Sequence, residues 1–199
     1  MGRRSVHSPE ELRQLILDAS QTIVERSGIT GLSAREITRM IGYSPGTLYN
    51  IFENLDDILV TLQVQLQART VEHLKHVPMG SDGEKNIEAL TQAYVDFALA
   101  NRRMWNLFLA HSLPPGSTMP EPFHDNINKI FSIIRTAVAP LAPNTPREKL
   151  EAMAWALWTG IHGITAVAAT EKGVYVTPVT AQSYAKDLAI TFVKGLREH

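Results

Sequence analysis

The 199-residue sequence contains no cysteine. This absence excludes disulfide bridges, thiolate metal sites and cysteine nucleophiles, and it agrees with a reducing compartment. Residues 1–7 include two arginines, but the hydrophobic stretch of a signal peptide does not follow them. We therefore expect a cytoplasmic protein.

The sequence also lacks long apolar runs and an excess of charge of either sign. No run reaches the roughly 18 consecutive apolar residues of a membrane-spanning helix, so we expect no membrane partner. The formal net charge is -1, which argues against a protein that coats nucleic acid without sequence preference. A specific reader of DNA that uses a few placed groups is compatible with this charge. With 44% apolar residues, the chain can bury one sizeable core or two small ones.

Signals for two short helices, separated by a tight turn, are concentrated in residues 33–52. Ser33 has the side chain of an N-cap, and Glu36 stands three residues later, so the pair predicts a capping box. Gly42 is expected to end this first helix, as the left-handed residue that follows its last turn. The turn that remains before the next helix signal is short enough to fix how the two helices cross.

The second helix of this pair is predicted over about 44–52, with Ser44 as its cap and Pro45 at its first position. Leu48 and later apolar residues repeat at helical spacing along one face. Three polar side chains remain on the outer face: Thr47, Tyr49 and Asn50. Two helices joined by such a short turn form a helix-turn-helix, whose second helix can enter the major groove of DNA.

The same residues resemble a known DNA-binding domain. The run 37–42, Ser44, the run 46–49 and Phe52 together closely resemble the N-terminal domain of the tetracycline-repressor (TetR) family of bacterial transcriptional regulators. By motif the resemblance covers about residues 9–62, and beyond that it extends only by helix pattern and length.

Apolar residues at helical spacing predict an all-α fold of about nine helices along the whole chain. Outside the helix-turn-helix, the predicted helices span about 9–28, 55–77, 84–100, 102–112, 121–139, 147–171 and 180–197. Capping signals precede three of them: Ser8 with Glu11, Ser81 with Glu84, and Thr145 with Glu148. The resemblance implies a three-helix DNA-binding domain at 1–54 and a helical ligand-binding and dimerisation domain at 55–199, connected by the helix at about 55–77.

The charge of the first domain is balanced, since residues 1–54 contain six arginines and six acidic residues. Attraction to DNA must therefore come from the arrangement of charges. Arg35 lies one turn into its helix, and an arginine fork matches guanine O6 and N7, which predicts a base-edge contact. The free amides at the helix starts of Ser33 and Ser44 suit phosphate oxygens, and Asn50 can pair with adenine.

The family resemblance implies roles for further residues. Arg35 stands where the tetracycline repressor uses an arginine on a base, and Thr47 and Tyr49 match positions that touch phosphate or base. A basic tip at Arg3 and Arg4 can follow a phosphate backbone or enter a minor groove. The predicted DNA-binding residues are Arg3, Arg4, Ser33, Arg35, Ser44, Gly46, Thr47, Tyr49 and Asn50.

Two positions depart from the family pattern. Family members usually have lysine where Leu55 stands, and that lysine touches phosphate. They often have histidine where Ile51 stands. Loss of both groups predicts weaker DNA binding or a shifted docking of the second helix.

The predicted helix at about 147–171 is the most apolar part of the chain, because residues 152–169 contain no charged side chain. A helix that is apolar nearly all round must be covered on more than one side, and a second subunit is the obvious cover for one side. In the family that the chain resembles, the last two helices pair with their symmetry mates. We therefore expect a homodimer through 147–171 and 180–197. The run 158–163 resembles the signature of the WHG-type branch of C-terminal domains.

Aromatic and histidine side chains of the second domain are candidates for the walls of an effector pocket. They are Trp105, Phe108, His111, Phe131, Trp155, Trp158 and His162. Each has ordinary core packing as its competing interpretation, since aromatic stripes at helical spacing usually pack. The absence of charge along 152–169 favours a neutral or apolar small-molecule effector.

The leading interpretation is a ligand-responsive transcription regulator, a repressor by family resemblance, that binds a palindromic DNA operator as a homodimer. The alternative is an apolar-ligand carrier or interaction module with a degenerate helix-turn-helix, which the two departures and the balanced charge favour. An enzyme is not expected, because no nucleophile, carboxylate pair or phosphate-binding glycine loop accompanies His111 or His162. We expect no cofactor and no metal site, since His73 and His76 have no evident third ligand.

Overall fold

The described part of the chain is helical throughout. The computed structural model describes residues 7–170 and 176–197, and within these ranges it contains no β-strand. The α-helices are α1 (Pro9–Ser27), α2 (Ala34–Ile41), α3 (Pro45–Tyr49), α4 (Leu55–Lys75), α5 (Gly83–Ala100), α6 (Arg102–Trp105), α7 (Leu107–Ala110), α8 (Glu121–Val138), α9 (Arg147–Ala169) and α10 (Pro178–Arg197). Short 3-10 helices, Ile29–Gly31 and Ala139–Leu141, follow α1 and α8. The predicted all-α fold is confirmed.

The helix predicted at 102–112 is divided into α6 and α7 at Asn106. The Asn106 N–H donates to the Arg102 carbonyl at 2.9 Å, and the Ala110 N–H donates to the Asn106 carbonyl at 2.9 Å. Both bonds involve Asn106, so α7 begins directly where α6 ends. Counted as one broken helix, α6 and α7 restore the predicted number of nine in the described ranges.

The N-terminal capping signals act largely as expected. Ser8 Oγ accepts from the Glu11 N–H, and the Glu11 carboxylate accepts from the Ser8 N–H at 2.7 Å, so the first capping box is complete. Gly42 ends α2 in the left-handed region, at φ 75 and ψ 27. Ser44 Oγ caps α3 by accepting from the Thr47 N–H, although α3 is shorter than predicted and ends at Tyr49. These caps fix both ends of the helix-turn-helix.

The capping box predicted at Ser33 forms only in part. Ser33 Oγ accepts from the Glu36 N–H at 3.2 Å, as expected. The Glu36 carboxylate accepts instead from Arg39 at 2.7 and 2.9 Å and from Arg26 at 2.9 Å. Charge-assisted bonds of this kind are stronger than a bond to a neutral amide. The Glu36 carboxylate therefore bonds to the two arginines instead of the Ser33 N–H.

Two further predicted caps are wrong. At α5 the cap is Asp82 rather than Ser81, because the Asp82 carboxylate accepts from two N–H groups of the first turn at 3.1 and 3.2 Å. A carboxylate at this place also complements the positive end of the helix. At α9 the cap position belongs to Pro146, which has no side-chain acceptor, so the helix starts without the predicted Thr145 cap.

One continuous hydrophobic core extends from α1 to α10. The N-terminal part of it is formed by side chains that are 0 or 1% exposed: Ile16, Ile23, Ile37, Leu48 and Phe52. α4 begins beside this cluster, contacts α1, and then packs along α8 and against α5. α5 also packs on α9 and α10. α4 is therefore the helix that connects the helix-turn-helix with the larger helical bundle.

α9 (Arg147–Ala169) is long and apolar enough, by length and composition, to cross a membrane. It packs on α5, α8 and α10, as a core helix does. Only 39% of its most apolar 18-residue window is buried within the chain. A substantial part of its apolar surface is therefore left uncovered by the chain itself.

The start of α4 depends on a cap that was not predicted. Asn54 Oδ1 accepts from the Asp57 N–H at 2.9 Å and satisfies one of the free amides of the first turn. Replacing Asn54 with alanine should lower the free energy of unfolding by about 1 kcal/mol, because this bond is lost. Asn54→Ser, which keeps a capping oxygen, should stay within a few tenths of the wild-type value in urea denaturation. Equal losses in both variants would contradict this role of the side chain.

Candidate functional site

The arginines of the N-terminal helices differ sharply in their surroundings. Arg26 and Arg39 both pair with Glu36, and these bonds, first that of Arg39 and then that of Arg26, lower the pKa of Glu36 to about 2. Arg13 lies over an aromatic ring of the core, with its guanidinium 4.3 Å from the ring centre. Arg35 is exposed, and its guanidinium makes no ion pair or hydrogen bond with any residue that the structure describes. Its guanidinium is therefore available to a partner.

The predicted DNA-contacting residues of the turn and of α3 lie at the same end of the molecule. Tyr49 is 49% exposed, and Gly46 and Asn50 are also exposed. A Cβ at Gly46 would meet only Ser44 Oγ, at 3.8 Å, so packing within the chain does not require glycine there. The missing side chain leaves the backbone of α3 open to close approach.

Of the remaining predicted DNA-binding residues, two serines act as helix caps and two arginines lie outside the described ranges. The Ser33 and Ser44 hydroxyls act as helix caps, and Ser44 Oγ lies 3.0 Å from Thr47 Oγ1. Arg3 and Arg4 lie outside the described residues. The two serine hydroxyls therefore fix the starts of α2 and α3. The exposed side chains of the same region can reach a partner.

The two departures from the family pattern have a structural counterpart. Ile51 and Leu55 are partly buried and pack against the hydrophobic core. Apolar side chains at these positions therefore add to packing where the resembled family places polar groups. They enclose the junction between α3 and α4 but offer no hydrogen bond to phosphate.

A cavity of about 180 Å³ lies among α4, α5, α6, α7, α8 and α9. Five of the predicted pocket residues line it: Trp105, Phe108, His111, Trp158 and His162. Phe131 and Trp155 do not line it. They lie together at a separate surface depression, with ring centres 3.5 Å apart, and Trp155 is 47% exposed. Helix periodicity placed Trp155 on an apolar face of α9 but did not reveal that this face points out of the bundle.

Several lining residues are absent from those predicted from the sequence. They are Gln63, Gln67, Thr70, Tyr94, Met119, Phe123, Ile127 and Ile130. A signal for the first three was present, because positions i, i+4 and i+7 of a helix share one face. Polar side chains at this spacing in an otherwise apolar helix indicate a lined cavity. Met119 comes from the proline-rich loop between α7 and α8, so this loop closes one side of the cavity.

His162 is the centre of an aromatic cluster at the cavity wall. Its ring stacks on that of Trp158, with centres 4.8 Å apart and planes 10° apart. Its Nδ1 is hydrogen-bonded to the Tyr94 hydroxyl at 2.9 Å. Burial lowers the pKa of His162 to about 4 and raises the pKa of the Tyr94 hydroxyl. Both side chains are neutral near pH 7, and among the described residues no Asp, Glu, Lys or Arg lines the cavity.

His111 connects the cavity to the first turn of α4. Its Nε2–H donates to the Asp56 carboxylate at 2.9 Å, and its Nδ1 accepts from the Gln63 amide at 2.8 Å. A neutral imidazole with its proton on Nε2 satisfies both partners at once. The His111 side chain is only 4% exposed, so this bridge is held inside the protein. One side chain therefore joins a cavity-lining residue to the beginning of α4.

The neutral state of His162 should make stability depend on pH. The unfolded histidine binds a proton near the ordinary value of 6.5, whereas the folded one binds it only near 4. The unfolded chain therefore takes up the proton first as pH falls, and stability is lost between these values. We expect the free energy of unfolding to fall by up to about 3 kcal/mol over this window. In His162→Gln this loss should be absent between pH 6.5 and 5, as measured by urea denaturation. A variant that keeps the wild-type slope would contradict the assignment.

Comparison with known proteins identifies relatives in sequence. The family model for the tetracyclin repressor-like C-terminal domain matches residues 87–188. An uncharacterized HTH-type transcriptional regulator, YobS of Bacillus subtilis (strain 168), is 27% identical over 89 residues, which are 45% of this chain and 47% of YobS. The match thus spans about half the length of that relative. YobS is named as a regulator and not as an enzyme.

Solved structures agree in fold. A protein of unknown function from Rhodococcus sp. RHA1 has a TM-score of 0.73 at 24% identity, over 98% of each chain. The TetR family regulator PfmR from Thermus thermophilus has a TM-score of 0.62 at 16% identity, over 88% of this chain and 97% of PfmR. FadR from Bacillus subtilis, in complex with stearoyl-CoA, has a TM-score of 0.67 at 12% identity, over 88% of this chain and 97% of FadR.

At these identities the structures establish the shared fold alone. The family model goes further, since it covers just over half of the 199 residues and includes helices that line the cavity. The chain therefore belongs to the tetracyclin repressor-like family.

Proposed function

We propose that this protein is a ligand-responsive transcription regulator, with its DNA-binding domain at 1–54 and its ligand-binding and dimerisation domain at 55–199. The observation that carries the proposal is the placement of an exposed, unpaired Arg35 side chain at the helix-turn-helix, joined by α4 to a cavity whose described lining residues include no Asp, Glu, Lys or Arg. The family assignment supports it. We further propose a cytoplasmic repressor, and the stacked Trp158 and His162 support its placement in the WHG-type branch.

The proposed DNA contacts follow from the chemistry of the exposed groups. Arg35 is proposed to make a bidentate contact with a guanine edge, and Asn50 to pair with an adenine, because their side chains match those base edges. Tyr49 and Thr47 are suited to phosphate oxygens, which position the protein without reading sequence. Gly46 lets the backbone of α3 approach the duplex. Arg3 and Arg4 are proposed as a basic arm on the same DNA.

The dimer is proposed on the uncovered surface of α9 and α10. Trp155 and Val167 of α9 are 47 and 43% exposed, and Tyr184 of α10 is 44% exposed. Gly163 lies on the same side of α9, and a Cβ there would meet no atom of the described residues within 4 Å. Apolar groups exposed together in this way mark a protein interface. A second copy that pairs these two helices would cover them and present two helix-turn-helices to two half-sites.

Ligand response requires that cavity and DNA surface influence each other. α4 begins beside α3 and lines the cavity two turns later with Gln63, and His111 ties that residue to Asp56 at the helix start. A ligand that prefers one position of α4 would shift the population by its differential affinity for the two states. Half-sites lie about 34 Å or a multiple apart on one face of DNA, so a change in spacing between the two readers alters affinity.

The effector is proposed to be neutral or apolar. No Asp, Glu, Lys or Arg lines the cavity in the part of the chain that the structure describes, so an anion or cation would find no side-chain counter-charge from these residue types there. FadR shares the fold and was solved with stearoyl-CoA, which carries phosphate groups. The described residues that line the cavity of this chain include no lysine or arginine to bind such groups.

A second candidate function is an apolar-ligand carrier or interaction module in which the helix-turn-helix has lost DNA affinity. The packing of Ile51 and Leu55 against the core favours it, because polar groups suited to phosphate are missing there. Direct measurement of DNA binding separates the two candidates, since a carrier binds ligand but no duplex.

DNA selection with the purified protein should enrich a palindromic site with half-sites about one helical turn, roughly 34 Å, or a multiple apart. On that site, Arg35→Ala should lower the affinity at least about tenfold, because a bidentate base contact is lost. Arg69→Ala removes an equal charge from an exposed position about four turns along α4 and should change affinity little in fluorescence anisotropy. Failure to enrich any site would favour the carrier, and equal effects of both variants would contradict the role of Arg35.

The proposed dimer can be tested at Gly163. Gly163→Gln adds a side chain to the exposed face of α9 without a clash in the chain, so the fold should be retained and the dimer lost. Light scattering after size exclusion should give a monomer, with an unchanged circular dichroism spectrum. Gly80→Gln, at an exposed loop glycine with equal room, should remain dimeric. A wild-type monomer, or a dimeric Gly163→Gln, would contradict the proposed interface.

A further inference from the structure

Arg103, in α6, bonds to the helix-turn-helix region from the far side of the bundle boundary. Its Nη1 donates to the Glu25 carbonyl at 2.8 Å and also to the Arg26 carbonyl. Among the residues that the structure describes, no other side chain beyond α4 makes a hydrogen bond with residues 7–54. These bonds are therefore a connection between the helix-turn-helix region and the bundle that is separate from α4.

The acceptors of both bonds are carbonyls at the end of α1. The last four carbonyls of an α-helix have no partner within the helix, and they form its negative end. Glu25 and Arg26 belong to this last turn, because α1 ends at Ser27. A guanidinium is always charged and carries several N–H donors, so it can satisfy two such carbonyls at once. Arg103 thus holds the end of α1 by a charge-assisted contact.

Arg26 extends this contact to α2. Its carbonyl accepts from Arg103, and its own guanidinium donates to Glu36 Oε1 at 2.9 Å. Glu36 lies in the first turn of α2, directly after Arg35, for which a base contact is proposed. Each step is a direct bond between two helices. The position of α6 therefore constrains the start of α2 through a single residue of α1.

The surroundings of this contact are open. A cleft of about 950 Å³ lies between the end of α1 with the 3-10 helix that follows it and the segment formed by α6, α7 and the end of α9. Arg26 and Arg103 are among its lining residues. Packed side chains therefore do not fill the whole of this boundary. Where packing is incomplete, the directional hydrogen bonds that remain have the larger part in fixing how the two regions are oriented.

We infer that Arg103 is a positioning residue for DNA binding, because its two bonds hold the helix-turn-helix at one orientation relative to the bundle. The inference rests on the proposed function, since it concerns how the helix-turn-helix is presented to DNA. In a dimer, a fixed orientation of each helix-turn-helix fixes the distance between the two. Half-sites are recognised at a set separation, so a loosened helix-turn-helix loses discrimination between operator spacings but keeps its contacts within one half-site.

Operator spacing gives the first test. The selected operator is compared, by fluorescence anisotropy, with a version that carries two additional base pairs between its half-sites. The wild type should prefer the selected operator at least about tenfold, and in Arg103→Ala this ratio should fall to about threefold or less. A simple loss of folded protein lowers binding to both operators alike and leaves the ratio unchanged.

The matched control for this test is Arg102→Ala. It removes the neighbouring guanidinium of α6, which makes no hydrogen bond or ion pair with the described residues, and it should keep the wild-type ratio. An unchanged ratio in Arg103→Ala, an equal fall in Arg102→Ala, or a wild type that does not discriminate between the two operators would overturn the inference.

A distance measurement tests the orientation without DNA. The sequence has no cysteine, so Thr22→Cys in α1 and Lys129→Cys in α8, both at exposed positions, introduce the only two thiols of the chain. Spin labels on these thiols, in chains diluted with unlabelled protein, are measured by double electron–electron resonance. The distance distribution should be narrow in the labelled parent and after Arg102→Ala, and clearly broader after Arg103→Ala. Equal widths in all three would contradict a role in orientation.

The two tests together separate this inference from the proposed function. A protein that binds no duplex, but whose distance distribution broadens only after Arg103→Ala, supports the role of Arg103 in orientation and overturns the regulator. DNA binding with the same spacing ratio and the same distance width in Arg103→Ala as in the wild type overturns the inference and leaves the regulator intact.

Discussion

The burial of α4 against two different sets of side chains is the constraint on which the rest of the structure depends. Its first turns close the N-terminal core, where Ile58 is fully buried, and its middle turns present Gln63 and Gln67 to the cavity. A rigid helix of 21 residues joins the two regions. Packed interiors do not deform smoothly. A displacement of one end of such a helix must therefore also displace the side chains that pack against its other end.

The two regions differ in charge: the helix-turn-helix exposes a cationic side chain, whereas the histidine ring at the cavity wall is uncharged. At the helix-turn-helix, Glu36 binds two arginines and leaves Arg35 exposed. Around the cavity, burial lowers the pKa of His162 to about 4 and thus keeps the ring uncharged at neutral pH. The same chain therefore offers a cationic group to a polyanion at one end and a neutral space to a small molecule at the other.

His111, for which core packing was the competing interpretation, makes two specific hydrogen bonds in the structure. Its ring is enclosed and holds both Asp56 and Gln63, residues two helical turns apart on α4. Movement of Gln63 toward a ligand would cost the imidazole one of its two bonds, so cavity occupancy and the position of the α4 start are linked through a single neutral tautomer. The link is local, short and made of hydrogen bonds whose directions are strict.

The sequence by itself determined the helical fold, the helix-turn-helix and the capping serines of α1, α2 and α3, because these depend on periodicity and on residues three or four positions apart. It also placed Trp105, Phe108, His111, Trp158 and His162 near a pocket, since aromatic residues in an apolar domain tend to meet. Only the tertiary structure decided that Trp155 faces outward, that Glu36 pairs with two arginines, and that the Gln67 Oε1 atom is buried without a hydrogen-bond partner among the described residues. Each of these depends on how whole helices rotate and cross, which side-chain spacing within one helix does not specify.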